Sequence, residues 1–178
     1  KALDGVDVAV VGMPYDLATT NRPGARLGPR AMRAASASLA WAPPYAWGFD
    51  PFERLVVVDH GDVLVDHGHP GEVPAAITAA YARIVAQGVV PLTLGGDHTI
   101  TWPDVTGVAR QVGWGKVSVL HFDAHADTGN SEFGSLIGHG QPMRRLIESG
   151  AARGDRFLQI GLRGYWPGPE TLQWMAEQ

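Results

Sequence analysis

A group of metal-binding residue types stands directly after one apolar run of the sequence. Asp123, His125 and Asp127 alternate with alanines after the run Val117–Phe122. In an extended backbone every second side chain points to the same face, so these three side chains are expected to converge at a strand end. Carboxylate and imidazole groups in this arrangement predict a site for a divalent metal ion.

A further candidate ligand, His98, follows a second apolar run. Gly95 and Gly96 precede Asp97 and His98, and paired glycines permit the sharp turn that would bring His98 over a sheet edge. Alone, the segment is as typical of an ordinary strand-to-helix turn with an exposed histidine. Beside the first group it predicts four ligands in one region, with Asp97 orienting the backbone rather than binding the ion.

The ligand types narrow the metal and its chemistry. The chain has no cysteine, so any ion must sit on histidines and carboxylates, a set that suits Mn, Fe, Co or Zn. A carboxylate-rich set can also hold two ions ~3.5–4 Å apart, which lowers the pKa of a bridging water toward neutrality.

Two more histidines invite a chemical interpretation. His139 lies between glycines, where a mobile imidazole could transfer protons. The residues alone favour a simple helix-entry turn for His139. His121 lies deeper in the apolar run than Asp123, and we interpret it as a hydrogen-bonded core histidine.

The elements that would position these residues alternate along the chain. The predicted strands are Val6–Val11, Leu55–Asp59, Val89–Leu94, Val117–Phe122 and Arg156–Ile160. The predicted helices are Ala31–Leu39, Glu72–Gln87, Trp102–Val112 and Pro142–Ser149. Alternation of this kind predicts an α/β fold with a largely parallel sheet, whose ligands bind at the carboxyl ends of the strands. The loop Pro14–Pro29 is expected to reach over those ends, and Trp41–Phe52 to form a lid or a subunit contact.

Size and composition describe a single domain over residues 1–178. Its net charge of −4 gives no sign of binding to nucleic acid, and no apolar run approaches the ~20 residues that a membrane span needs. The first residues, Lys1 to Asp4, lack a secretory pattern, so the cytoplasm is the expected compartment.

Several segments together resemble the ureohydrolases, the arginase and agmatinase family. The similar segments are Arg22–Pro29, Gly95–Thr101, His121–Thr128, His139–Arg145 and Gln159–Gly164. They cover almost the whole chain in order, and the two metal motifs among them are highly specific. The resemblance implies a three-layer α/β/α fold with a mostly parallel sheet.

The resemblance also implies an activity and a set of roles. The family uses two Mn ions to hydrolyse guanidino compounds, at C–N bonds of linear amidines, to urea and an amine. One ion would lie on His98, Asp123 and Asp127, and the other on Asp123 and His125, with Asp123 bridging. Asp127 would accept a hydrogen bond from the nucleophilic hydroxide, and His139 would relay protons. The resemblance further implies a small cationic guanidino substrate and a homo-oligomer, a trimer or hexamer.

Within the family the sequence is more similar to agmatinases than to arginases. Arginases carry an asparagine, which helps to bind the substrate α-carboxylate, where this chain has Gly129. Agmatine, which would yield putrescine for polyamine biosynthesis, is therefore the favoured substrate, and guanidinobutyrate is the alternative.

One family feature is missing from the sequence. The third metal motif, Ser-x-Asp-x-Asp, is absent, so two of the six expected ligands are not in this chain. We expect the chain to be the N-terminal part of a longer, C-terminally truncated enzyme. Two alternatives remain open: a mononuclear zinc deacetylase on a related fold, and a ureohydrolase-like protein without catalytic activity.

Overall fold

Strands and helices alternate in the computed structural model, which describes residues 2–38 and 43–178. The strands are β1 (Val8–Gly12), β2 (Val57–Asp62), β3 (Val90–Leu94), β4 (Val117–Phe122) and β5 (Ala152–Ile160). The helices are α1 (Gly28–Ser36), α2 (Val73–Val85), α3 (Thr101–Val112), α4 (Pro142–Glu148) and α5 (Pro169–Ala176). The predicted α/β class is confirmed.

All strand pairs are parallel, but they form two hydrogen-bonded sheets. One sheet has the order β2-β1-β3, and the other contains β4 and β5. In the second sheet His121 lies opposite Gln159, and Phe122 lies opposite Ile160. Although β3 and β4 belong to different sheets, the segments that follow them meet, because His98 Nδ1 contacts Asp127 Oδ2.

Helices pack against both sheets and enclose two apolar clusters. The first surrounds β1 and α2 and includes Val11, Met13, Ile77 and Tyr81. The second joins α3 and α4 to β4 and β5, and its buried members are Ala109, Met143, Leu146 and Ala151. Packing in these clusters holds the strands, and therefore their ends, in place against the helices.

The predicted helix ends agree with the structure to within a few residues where proline and glycine mark them. Helix α2 carries Pro74 in its first turn, and α4 starts at Pro142. Gly88 and Gly150 follow these helices with φ of +75°, as expected for glycines that stop a helix.

Other predicted ends were wrong. Helix α1 begins at Gly28 rather than Ala31, and Leu39 lies outside the described residues. Strand β5 begins at Ala152, four residues before the predicted Arg156, and helix α5 was not predicted. Trp41, at the start of the predicted lid or contact loop, also lies outside the described residues.

The outer face of the second sheet is apolar and open. Leu120 and Phe122 of β4, together with Leu158 and Ile160 of β5, are between 40% and 72% exposed. Among residues 2–38 and 43–178, no helix is long and apolar enough to cross a bilayer.

Candidate metal centre

The turn after β3 passes so close to the segment after β1 that it requires glycine. A β-carbon on Gly96 would lie 2.3 Å from the carbonyl oxygen of Tyr15 and 2.5 Å from that of Met13. The backbone N–H groups of Gly96 and Asp97 donate to these same two carbonyls, at 3.2 and 2.8 Å. The sharp turn predicted from the paired glycines is therefore present, and it carries His98 to the sheet edge.

Asp97 orients the backbone on both sides of this turn. Its carboxylate accepts from the N–H of Thr99 at 2.9 Å and from the N–H of Ala18 at 3.0 Å. Burial raises the pKa of Asp97, although these hydrogen bonds oppose the rise. The carboxylate is thus occupied by backbone donors, in agreement with the orienting role expected for it.

Four side chains meet at the ends of β3 and β4: His98, His121, Asp123 and Asp127. One donor atom from each lies within 4.8 Å of the others. His98 Nδ1 contacts Asp127 Oδ2 directly and lies 3.9 Å from Asp123 Oδ2. His121 Nε2 lies 3.5 Å from the same Asp123 oxygen. This group of four is called the donor cluster below.

The segment after β4 is a turn rather than an extended strand. Asp123 Oδ1 accepts from the backbone N–H of His125 at 2.8 Å, and Asp127 has a left-handed backbone with φ of +50°. Left-handed backbone is uncommon outside glycine, although aspartate tolerates it better than most residues. The prediction of strict alternation was therefore wrong in its geometry, and Asp123 and Asp127 meet because the chain turns.

His125 lies beside the donor cluster rather than inside it. Its side chain is 55% exposed, and its Nδ1 lies 3.4 Å from Asp123 Oδ1. Asp123 therefore has His98 and His121 near one carboxylate oxygen and His125 near the other. A carboxylate with imidazoles on both sides is suited to a position between two cations.

The electrostatics of the cluster favour a charged carboxylate beside neutral imidazole. Burial acts to raise the pKa of Asp123, but the His125 N–H and the nearby histidines outweigh it and lower that pKa. Burial and the proximity of His98 lower the pKa of His121. Ionised carboxylate and neutral imidazole are the protonation states that bind divalent ions.

His139 lies on the neighbouring loop and is held there by the segment between β1 and α1. Its Nε2 lies 3.1 Å from Thr20 Oγ1, and its backbone N–H donates to the Ala18 carbonyl at 3.3 Å. The imidazole is half-buried and outside the donor cluster, close enough to Asp97 to influence that carboxyl electrostatically. This position suits proton transfer better than metal binding.

A buried aspartate shapes the loop that holds His139. Asp16 accepts from the backbone N–H groups of Gly24 and Arg26 and pairs with the Arg26 guanidinium, which lowers the pKa of Asp16 to about 2. At the end of this loop, Gly28 packs so closely that a β-carbon would lie 2.6 Å from the Gly95 carbonyl oxygen. The expectation that Pro14–Pro29 reaches the strand ends agrees with these contacts.

Gly129 packs against the His139 loop. Its N–H donates to the Gly140 carbonyl at 3.0 Å, and a β-carbon there would lie 3.0 Å from the same oxygen. An asparagine would require that loop to move, so the glycine belongs to the local packing.

The donor cluster fits a metal such as Mn, Fe, Co or Zn. It combines imidazole nitrogens and carboxylate oxygens at close range, the donor types that these ions prefer. Close packing of two partly buried carboxylates is costly unless cations or donors offset their charge.

Comparison with known proteins identifies the family of this chain. The family model described as Arginase family matches residues 6–178. The chain belongs to the arginase family. The resemblance inferred from the motifs is thereby confirmed.

Relatives place this arginase-family chain near the agmatinases. It is 44% identical to an agmatinase of Chromobacterium violaceum over 92% of the chain and 50% of that protein. It is 42% identical to a guanidinobutyrase of Pseudomonas aeruginosa over 99% of the chain and 54% of that protein. The crystal structure of a hypothetical agmatinase from Burkholderia thailandensis superposes with a TM-score of 0.88 at 42% identity, covering 99% of this chain and 57% of that one. The chain spans about half the length of the curated relatives it matches.

Three residues of this arginase-family site had no functional role in the sequence analysis. His121 was interpreted as a core histidine and is indeed buried, yet it also lies in the donor cluster. Its spacing of two from Asp123 was the available signal. Gln159, which contacts His121, lies in a segment that resembles the family but was given no role. Trp166, whose ring lies 6.4 Å from that of His125, gave no signal because it comes from a distant segment.

Proposed function

We propose that the protein hydrolyses a small guanidino compound to urea and an amine at a two-metal centre, as a manganese-dependent agmatinase-like enzyme. The observation that carries the proposal is the position of Asp123, with His98 and Asp127 on one side and His125 on the other. His98, Asp123 and Asp127 would hold one ion, and Asp123 and His125 would help to hold the second.

The residues divide the chemistry among them. Two bound divalent cations would supply the Lewis acidity that makes hydroxide available near neutral pH. The Asp127 carboxylate accepts a hydrogen bond from this nucleophile and directs it at the guanidinium carbon. The hydroxide adds to the guanidinium carbon. As the C–N bond breaks, the adduct loses its hydroxyl proton and the leaving nitrogen takes a proton that His139 delivers, so that guanidinium and water give urea, a neutral amine and one proton, which is released to solvent. Carboxylates around the site stabilise the positive charge of the substrate.

Agmatine is the favoured substrate within this proposal, and guanidinobutyrate is the alternative. The similar proteins carry both names, agmatinase and guanidinobutyrase. Gly129 supports a substrate without an α-carboxylate, because it occupies the position of the arginase asparagine and a side chain there would press on the Gly140 carbonyl. A homo-oligomer of three or six subunits in the cytoplasm remains a prediction of the sequence analysis.

Urea release tests the proposal. The whole protein that carries this chain is incubated with Mn²⁺ and agmatine, guanidinobutyrate, guanidinopropionate or arginine, and urea is measured. We expect the highest kcat/KM with agmatine and the lowest with arginine. Bound metal is counted in the same preparation, because two Mn per chain separates this enzyme from a mononuclear zinc deacetylase.

Asp123→Ala provides the matched loss-of-function variant. Removing the carboxylate between the two histidine groups should abolish urea release and reduce the bound metal by at least one ion. Asp4→Ala, at an exposed position away from the strand ends, serves as the control and should behave as the parent. Urea release by Asp123→Ala at the parental rate would contradict the bridging role, and no release by the parent on any substrate would favour the non-catalytic alternative.

A further inference from the structure

A histidine and a glutamine lie directly behind Asp123. His121 on β4 is 6% exposed, and it pairs across the sheet with Gln159 on β5. The Gln159 amide nitrogen lies 3.0 Å from His121 Nδ1 and 2.7 Å from the Ala126 carbonyl oxygen. The other ring nitrogen, Nε2, lies 3.5 Å from Asp123 Oδ2. Membership of the donor cluster leaves two roles for His121, as a metal ligand or as a hydrogen-bond donor to a ligand.

The hydrogen bonds determine the orientation of the Gln159 amide. A backbone carbonyl can only accept, so the Gln159 atom beside the Ala126 oxygen must be the NH₂ group. One of its two hydrogens is used there, and the other points at His121 Nδ1. That ring nitrogen must therefore be an acceptor.

The tautomer of His121 follows from this constraint. A neutral imidazole carries one proton, so when Nδ1 accepts, the proton is on Nε2. Doubly protonated imidazole would set an Nδ1–H against the amide donor, which is unfavourable. Within the described part of the chain Nε2 has no hydrogen-bond partner of normal geometry, and a buried donor without an acceptor is unfavourable. Asp123 Oδ2 is the acceptor within reach.

We propose that His121 is a positioning residue, which donates its Nε2–H to Asp123 and is held in that tautomer by Gln159. The inference rests on the proposed metal centre. A metal-binding Nε2 would have to lose its proton, which would move to Nδ1 and face the Gln159 NH₂ group. The amide would then have to turn over and place its oxygen against the Ala126 carbonyl. The pair therefore orients Asp123, with one oxygen toward His98 and the other toward His125, without binding the ion.

The tautomer can be measured directly on the whole protein. Nitrogen-15 NMR distinguishes the two ring nitrogens of His121, whose signals are assigned by comparison with His121→Gln. We expect an Nε2–H imidazole without metal and the same imidazole after addition of Zn²⁺, a diamagnetic probe. An Nδ1–H imidazole, or an Nε2 that binds Zn²⁺, would overturn the proposal. Neither readout depends on urea release, so a failure of the proposed activity would be seen separately.

Metal affinity gives the second readout. His121→Ala should keep the number of bound Mn²⁺ ions and weaken their affinity by about 10–100-fold, the usual effect of losing a partner of a ligand. His121→Gln should recover much of the affinity, because its amide NH₂ can donate from about the place of Nε2. His69→Ala, at an exposed histidine, is the matched control. Loss of a bound ion in both His121 variants would indicate a ligand, and parental affinity in His121→Ala would refute the positioning role.

Discussion

At the scale of single residues, position in space separates roles that residue type leaves open. Four histidines with the same side chain take different positions. His98 and His121 lie in the donor cluster, His125 lies beside it, and His139 contacts Thr20 on another loop. The motif predicted His98, Asp123 and Asp127 as neighbours, and the structure brings them together. The role of His121 depends on Gln159, which the sequence separates from it by 38 residues.

His139 supports a prediction about turnover. In His139→Ala, kcat for urea release should fall by about 100-fold or more, because general acid catalysis commonly contributes 10²–10⁴-fold. Mn²⁺ binding, measured by calorimetry, should be unchanged because the imidazole lies outside the donor cluster. Thr20→Ala, which removes the hydroxyl partner of Nε2, should cause a smaller loss. Simultaneous loss of both ions in His139→Ala would show that its role is wrongly assigned.

Asp104 supports a prediction about pH and stability. Its carboxyl is buried at α3, where Thr93 donates to one oxygen at 3.1 Å, and burial raises its pKa to about 8. Between pH 4 and pH 8 the folded protein keeps a proton that the unfolded chain releases, so the free energy of unfolding should fall as pH rises. In Asp104→Asn this fall should disappear. The free energy of unfolding of the variant, compared with that of the parent, should therefore be higher at pH 8 than at pH 5 by on the order of 3 kcal/mol.

Urea unfolding at several pH values would measure the Asp104 effect. Asp155→Asn, at an exposed position beside Arg153, is the matched control and should keep the parental pH dependence. An equal loss of stability between pH 5 and pH 8 in the parent and in Asp104→Asn would contradict the assignment.

At the scale of elements, the turns and the helix packing behind the site determine how accurately its residues are positioned. Proline and glycine signals predicted α2 and α4 to within a few residues, since these residues restrict or free the backbone locally. The N-terminal extension of β5 and helix α5 were missed because tertiary contacts stabilise them. Helix α5 contacts α4 where the Arg144 guanidinium lies over the Trp174 ring. It also contacts Thr128, whose hydroxyl donates a hydrogen bond to Met175 Sδ.

Helix α3 begins three residues after His98 and packs tightly on α2 at Gly107. A β-carbon on Gly107 would lie 2.5 Å from Tyr81 Cβ and 2.8 Å from the Thr78 carbonyl oxygen. Gly107→Ala should therefore destabilise the protein by about 1–3 kcal/mol, the usual cost of overpacking, as measured by urea unfolding. Gly71→Ala, where a β-carbon meets nothing within 4 Å, is the control. Equal stability of the two variants would show that the helices separate without cost.

At the scale of the molecule, the described chain leaves apolar and hydrogen-bonding surface open. Strand β3 pairs with β1 alone and β4 pairs with β5 alone among residues 2–38 and 43–178. The outer face of the second sheet carries Leu120, Phe122, Leu158 and Ile160. Open strand edges and contiguous apolar patches promote association between chains.

This surface predicts the behaviour of the 178-residue chain in isolation. At micromolar concentration most of it should sediment as oligomers or aggregates and bind the dye ANS. Leu120→Glu with Leu158→Lys places opposite charges at paired positions and should reduce both signals. Ser118→Glu, which changes an already polar residue of β4, is the control and should have little effect. A monomeric parent without dye binding would contradict the prediction.

By itself the sequence determined which metal-binding groups are present and near which strand ends they lie. Metal-binding residue types, punctuated by glycine after apolar strands, identify the family and the sheet edge that carries the site, because these signals are local in the chain. The tertiary structure decided how the groups face one another. The turn through Asp127, the division into two sheets, and the contact from Gln159 through His121 to Asp123 arise from packing between distant segments. Local propensity does not encode such contacts.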